Sequence, residues 1–333
     1  MPPRAVLAMD PVHVPRLFPP ALLTRLRQAG EIDPELVVTD FTARPAAAAL
    51  SRAEVLITGW GAPHLDADLL RAAPRLHTVL HAAGSVRDLI GEDVWRRGIT
   101  VSSAVAANAL PVAEYTLAMI LLAGKDTFAH RDRYRTTHTL PTHAETANTG
   151  NMGRRIGVIG ASRVGRRLLD LLRPFDFTVC LYDPYVTSAE AAALGAEHLP
   201  LEDLLRRSDI VTLHAPDIPE TYRMLDAPRL ALMRDGAVLI NTSRGALIDP
   251  AALTAELVSG RLTAVLDVTE PEPLPPDSPL YRLPNVLLTP HIAGSLGNEL
   301  ERLGRTVVEE LERLTTGRPP LHEVRHTDLT RVA

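Results

Sequence analysis

The chain has 333 residues, 46% hydrophobic and 23% charged, which fits a folded protein of about two domains. Thirty-five Lys and Arg against 40 Asp and Glu leave a net charge of −5, which argues against a nucleic-acid binder. The single cysteine, Cys180, rules out an intrachain disulfide and a cysteine-based zinc cage, and no metal site is expected.

The longest apolar run, residues 113–124, carries Glu114 and falls short of the ~18 residues of a membrane span. The N-terminus lacks the apolar core of a signal peptide, so a cytoplasmic protein with no membrane partner is expected.

Short apolar runs alternate with helical stretches along the chain, the pattern of an α/β fold. Strands are expected at residues 5–9, 36–39, 55–58, 78–81 and 100–102, with helices such as 21–29 and 66–72 between them. A long helix is expected at about 110–125, with Pro111 in its first turn, where a missing N–H does no harm. Residues 131–153 are polar and aperiodic and read as an excursion before a second domain. From Arg155 the alternation sharpens, with strands at 156–160, 178–182, 210–213, 237–241, 262–267 and 286–289. Helices at 164–172, 201–207, 250–259 and 296–315 separate or follow them, so the sheet should be parallel and doubly wound.

Gly160, Ser162 and Gly165 follow the first of these later strands and open a helix. They stand where a dinucleotide fingerprint places three glycines, for the tight turn, for backbone approach to the pyrophosphate and for helix–strand packing. Ser162 adds a Cβ at the second place, although its hydroxyl could bond a phosphate oxygen. The helix N-terminus still offers free N–H groups and a positive dipole end. Asp183 ends the next strand, 18 residues after Gly165, where a carboxylate accepts from ribose hydroxyls and repels a 2′-phosphate. The expected cofactor is therefore NAD rather than NADP.

Three further motifs stand at strand C-terminal ends, the edge where open α/β sheets bind ligands. They contain Arg244, then Asp267 with Glu270 and Glu272, then His291 with Gly294. Arginine can grip a planar carboxylate, histidine can exchange a proton with a carbonyl oxygen, and a carboxylate on the second imidazole nitrogen fixes the tautomer. That set suits reduction of a 2-oxo acid. Spacing alone leaves Glu270 and Glu272 as equal candidates for the histidine's partner.

These motifs resemble the D-isomer-specific 2-hydroxyacid dehydrogenases, most closely from Asn108 to Gly294. The stretch from Asn108 through Glu114 looks like the family's helix opening the nucleotide domain, and His214 to Pro216 resembles its next loop. The resemblance implies two Rossmann-like domains. The substrate domain would be discontinuous, 1–103 plus 292–333, around an NAD-binding domain at 104–291, with the active site in a cleft closed by hinge motion. It implies Arg244 as substrate-orienting residue, His291 as acid/base and Glu272, five residues after Asp267, as its partner. Gly160, Ser162, Arg163, Val164, Gly165, Asp183, His214, Pro216, Thr242, Asp267 and Gly294 would bind the cofactor. Ala83, Gly84, Ser85 and Asn108 would bind the substrate, a small 2-oxo or 2-hydroxy acid, and the chain would form a homodimer through its NAD-binding domain.

Residues 57–61 carry no arginine and the sequence stops at Ala333, both of which point away from 3-phosphoglycerate as substrate. The competing expectation is an NAD(H)-responsive binding protein or corepressor on the same fold, a role in which the catalytic residues can persist.

Overall fold

The computed structural model describes residues 2–329; Met1 and residues 330–333, at the ends of the expected substrate domain, lie outside the described residues. Its strands are short runs rich in Val, Leu and Ile. Ala5–Ala8, Val55–Thr58, Thr78–His81 and Ile210–Leu213 are buried along their whole length. Burial on both faces is what parallel sheets flanked by helices require, and it explains why these runs are continuously apolar rather than alternating.

The chain divides into two compact units, one of residues up to Ala109 with those from Ser295 onward, the other Leu110–Gly294. In the first, β1 (Ala5–Ala8), β2 (Val37–Val38), β3 (Val55–Thr58), β4 (Thr78–His81) and β5 (Thr100–Ser103) form a parallel sheet in the order β5-β4-β3-β1-β2. A short antiparallel strand, Glu323–Val324, extends the β5 edge. The helix Leu300–Thr315 returns to this sheet, burying Leu303, Val307, Val308 and Leu311 with Leu7, Ile57 and Leu80. Its Gly304 lies where any Cβ would strike the Leu17 carbonyl.

In the second unit, β6 (Arg155–Ile159), β7 (Thr178–Tyr182), β8 (Glu197–His198), β9 (Ile210–Leu213), β10 (Val238–Asn241), β11 (Thr263–Leu266) and β12 (Val286–Leu288) are all parallel. Their order is β12-β11-β10-β9-β6-β7-β8, so strand order reverses between β6 and β9, the switch point at which such sheets bind nucleotides. Both sheets are thus the expected doubly wound, Rossmann-like type.

Three local expectations change. The long helix is Val105–Gly124, and Pro111 lies inside it rather than in its first turn. Proline already has a helical φ, so the helix loses one hydrogen bond and continues. By length and composition this helix could cross a bilayer, correcting the expectation that no stretch was long enough, and about a third of it is buried. Two of its side chains, Tyr115 and Thr116, hydrogen-bond within the second unit.

The polar stretch that read as an aperiodic excursion contains most of the helix Thr127–Thr137 and the turn His143–Thr146. The former buries no residue, and a helix without a buried face leaves no apolar period to read. The last helix begins at Leu300, after a 3-10 turn at Gly297–Glu299, rather than at 296.

Candidate active site

At the β6 switch point, Gly160 has φ 99°, and a Cβ there would meet the Ala215 amide nitrogen at 2.6 Å. Gly165, one turn into the helix Arg163–Leu172, could carry a Cβ only by striking the Gly160 carbonyl oxygen. Both positions therefore require glycine. Ser162 is the helix N-cap, its Oγ accepting from the Gly165 amide at 3.3 Å. The amides of Arg163 and Val164 remain as the open donors of the helix start.

Asp183 sits beside this turn at the end of β7. Its Oδ2 accepts from the Ala161 amide at 2.7 Å and its Oδ1 from the Tyr185 amide at 2.8 Å. His214 is buried against the turn, with Nε2 3.0 Å from Thr212 Oγ1. Burial pushes its imidazole down to about 3, so it is neutral. The Pro216 carbonyl accepts from the Thr221 hydroxyl at 2.5 Å.

At the end of β10, Asn241 is buried, as are Thr242 and Ser243 just after it. Asn241 closes the loop on itself, Nδ2 donating to the Arg244 carbonyl at 2.8 Å and Oδ1 accepting from the Ser243 amide at 3.0 Å. The Ser243 hydroxyl donates to the Ala215 carbonyl at 2.9 Å. A Cβ on Gly245 would strike the Thr269 backbone, so the loop packs directly against the one after β11. Arg244 donates from Nη1 to the Ser243 carbonyl at 2.7 Å, its one hydrogen bond from the side chain among the described residues.

The loops after β11 and β12 bring Glu272 to His291, with Oε1 2.7 Å from Nδ1 and both side chains about half exposed, 42% and 51%. A carboxylate only accepts, so Nδ1 holds the proton and Nε2 is left as the ring's acceptor nitrogen. Glu270 does not make this contact. It borders a cavity of about 50 Å³, and its Oε2 is buried without a partner. The geometry thus separates two residues that spacing left equal.

His291 has φ 53°, the left-handed region that non-glycine residues seldom occupy. Buried Asp267 holds it there. The Asp267 carbonyl accepts from the His291 amide at 3.0 Å. Its Oδ1 accepts from the Thr289 hydroxyl at 2.6 Å and the Ile292 amide at 2.8 Å, and its Oδ2 from the Ala293 amide at 2.9 Å. Gly294 ends the same turn.

In the first unit, Ala83 and Gly84 form a turn after β4 whose carbonyls accept from the Ser103 hydroxyl. Exposed Ser85 accepts from the Arg87 amide at 3.3 Å. Asn108 Nδ2 stands 3.4 Å from where a Gly84 Cβ would lie, and its Oδ1 accepts from the Ser295 amide at 2.9 Å. Trp60, 37% exposed, meets His13 edge-on with centroids 5.5 Å apart. Among the described residues no group of three or more His, Cys, Asp or Glu could hold a metal.

Sequence reasoning gave no role to Tyr115, Thr116, Asn241 or Thr289. Their hydroxyl and amide bonds fasten the loops just described, and nothing in their spacing announces those partners.

A family model described as D-isomer specific 2-hydroxyacid dehydrogenase, NAD binding domain, matches residues 117–293, more than half of the chain. The chain is 35% identical over 271 residues to the D-3-phosphoglycerate dehydrogenase of Mycobacterium tuberculosis, covering 81% of this chain and 51% of that protein. It therefore spans about half the length of the first curated relatives it matches. A glyoxylate reductase from Korarchaeum cryptofilum is 32% identical over 263 residues, 77% of this chain and 78% of the relative. The crystal structure of a phosphoglycerate oxidoreductase from Rhizobium etli superposes with TM-score 0.81 at 28% identity, covering 97% of this chain and 98% of that one.

Proposed function

The chain belongs to the D-isomer specific 2-hydroxyacid dehydrogenase family, and from that premise we propose that it is an NAD-dependent reductase of small 2-oxo acids. The observation that carries this reading is the 2.7 Å His291–Glu272 pair, on the same C-terminal sheet edge as the Arg244 loop and the glycine turn. In this reading His291 Nε2 exchanges a proton with the substrate oxygen, Glu272 fixes the tautomer and the ring's orientation, and Arg244 orients the substrate through its guanidinium.

The residues at the switch point fit a dinucleotide. Gly160 and Gly165 lie where any side chain would be excluded, and the Arg163 and Val164 amides would meet the pyrophosphate. The Asp183 carboxylate would accept from the adenosine ribose and disfavour a 2′-phosphate, which supports NAD over NADP. Asp267 has one acceptor position left on Oδ2, suited to a carboxamide N–H, and Thr242 and Gly294 would line the nicotinamide side. The cofactor, when bound, supplies the hydride.

The same reading pairs two copies of the chain through the unit Leu110–Gly294, and sedimentation of the free protein as a monomer would remove that assignment. The substrate is tested by following NADH consumption with glyoxylate, pyruvate, hydroxypyruvate, its phosphorylated form, and branched and aromatic 2-oxo acids. Turnover on one of these should fall about 10²-fold or more in His291→Ala, the scale of lost acid–base catalysis. Near-normal turnover in that variant would sink the role of His291. Tight NADH binding with no turnover on any acid would favour a binding protein instead.

A further inference from the structure

The Val105–Gly124 helix presents two neighbouring hydroxyls to two different loops. Tyr115 Oη lies 2.8 Å from Thr289 Oγ1, and Thr116 Oγ1 lies 3.0 Å from Thr242 Oγ1. The donors follow by elimination. The Asp267 carboxylate accepts, so the Thr289 hydroxyl donates to it at 2.6 Å, and Tyr115 must then donate to Thr289. Three donors converge on that one buried carboxylate, and the same residue's carbonyl takes the His291 amide. A left-handed non-glycine residue persists only where its surroundings over-determine it, and this chain of bonds is what surrounds His291.

We propose that Tyr115 is a positioning residue for the reaction: its hydroxyl, acting through Thr289 and Asp267, fixes the loop that carries His291. The inference rests on the reading of His291 as acid/base. Burial raises the Tyr115 phenol above its usual value, the bond to Thr289 opposes this, and the charge on Asp267 adds to it, so the group remains a donor at neutral pH. Thr116 makes the weaker counterpart. Its proton goes to the Val112 carbonyl at 2.8 Å, so Thr242 donates to it, but the Arg244 loop is already closed by Asn241 and Ser243.

The test compares Tyr115→Phe, Thr289→Val and Thr289→Ser, with Tyr281→Phe as control, since the Tyr281 hydroxyl, in the same unit, donates to the Leu274 carbonyl and to no other group among the described residues. Amide hydrogen exchange in the cofactor-free protein should quicken about 10-fold or more at Ile292 and Ala293 in Tyr115→Phe and Thr289→Val, and not across the rest of the unit. With a 2-oxo acid that the wild type reduces, kcat should fall about 10-fold while KM moves by less than about 3-fold, because the displaced group acts in the transition state. Thr289→Ser should restore both readouts, the control should change neither, and Thr116→Val should change kcat by less than about 3-fold. Unchanged exchange at Ile292 and Ala293 in Tyr115→Phe would overturn the proposal, as would loss of protection spread evenly over the unit. If the wild type reduces no 2-oxo acid, the reading of the reaction has failed, and the exchange experiment still decides whether Tyr115 holds the loop.

Discussion

The loops after β10 and β12 open on the same edge of one sheet and both bond the Val105–Gly124 helix, but only the first is also closed by a side chain of its own. The Arg244 loop is closed first by its own Asn241, which bonds both the Ser243 amide and the Arg244 carbonyl, with outward bonds from Ser243 to Ala215 and between Thr242 and Thr116 added to that closure. The His291 loop is held from outside, by a carboxylate 24 residues earlier in the chain and, behind it, a tyrosine on a distant helix. On the proposed reading, Arg244 binds substrate through a planar fork and can tolerate a locally built loop, whereas His291, delivering a proton from a defined nitrogen, needs its backbone fixed, and its left-handed φ makes that fixing depend on remote partners.

The largest break in this contrast should come from Asp267→Asn. The side chain keeps its shape, but one oxygen becomes an NH₂ facing a hydroxyl or amide that also donates. With a buried donor left unpaired, stability should fall by about 1–3 kcal/mol. Release of the loop should lower turnover by about 10²-fold, the scale of a misplaced catalytic group. Denaturant unfolding and steady-state kinetics on the same preparation measure both. A variant with wild-type turnover would mean that the His291 loop is as self-contained as the Arg244 loop.

An effect of intermediate size concerns the glycine turn, which is backed by a buried histidine. Burial lowers the His214 imidazole to about 3, and that of His81, bonded to Thr58 at 2.9 Å in the other unit, to about 4. Both bind fewer protons folded than unfolded between those values and the unfolded value of about 6.5. Their contribution is therefore fully present above about 6.5 and is lost as pH falls towards the folded values, at about 1.4 kcal/mol per pH unit for each. Denaturant unfolding from pH 7 to 5 should show this slope, reduced by one proton in His214→Asn. An unreduced slope would mean that His214 is charged against the turn.

Most of the sheet was legible in the sequence because parallel strands buried on both faces are continuous apolar runs. The ranges 55–58, 78–81, 178–182 and 210–213 are reproduced to the residue. The missed strands, Glu197–His198 and Glu323–Val324, are two-residue sheet edges with almost no apolar signal. The start of the Val105–Gly124 helix was misplaced because Pro111 imitates a helix beginning. Arg244, Glu272 and His291 could be picked out as residue types in motifs, but the hydroxyls of Tyr115, Thr116 and Thr289 could not. Threonine and tyrosine are common on helix and strand faces, and only the fold decides which of them meet.

The smallest expected effect bears on the one departure from the dinucleotide fingerprint. Ser162 has φ −63° and ψ 179°, extended backbone that any residue adopts, so the position does not need glycine for its conformation. What serine adds is the cap on Gly165, and Ser162→Gly should lower stability by only a few tenths of a kcal/mol, since glycine is a tolerable cap. NADH affinity, measured by fluorescence titration, should move by less than about 3-fold because the Arg163 and Val164 amides are unaffected. Tightening beyond about 10-fold would show that the serine Cβ obstructs the pyrophosphate. The turn would then resemble the His291 loop in requiring one particular geometry, with the cap gained at the expense of the cofactor's approach.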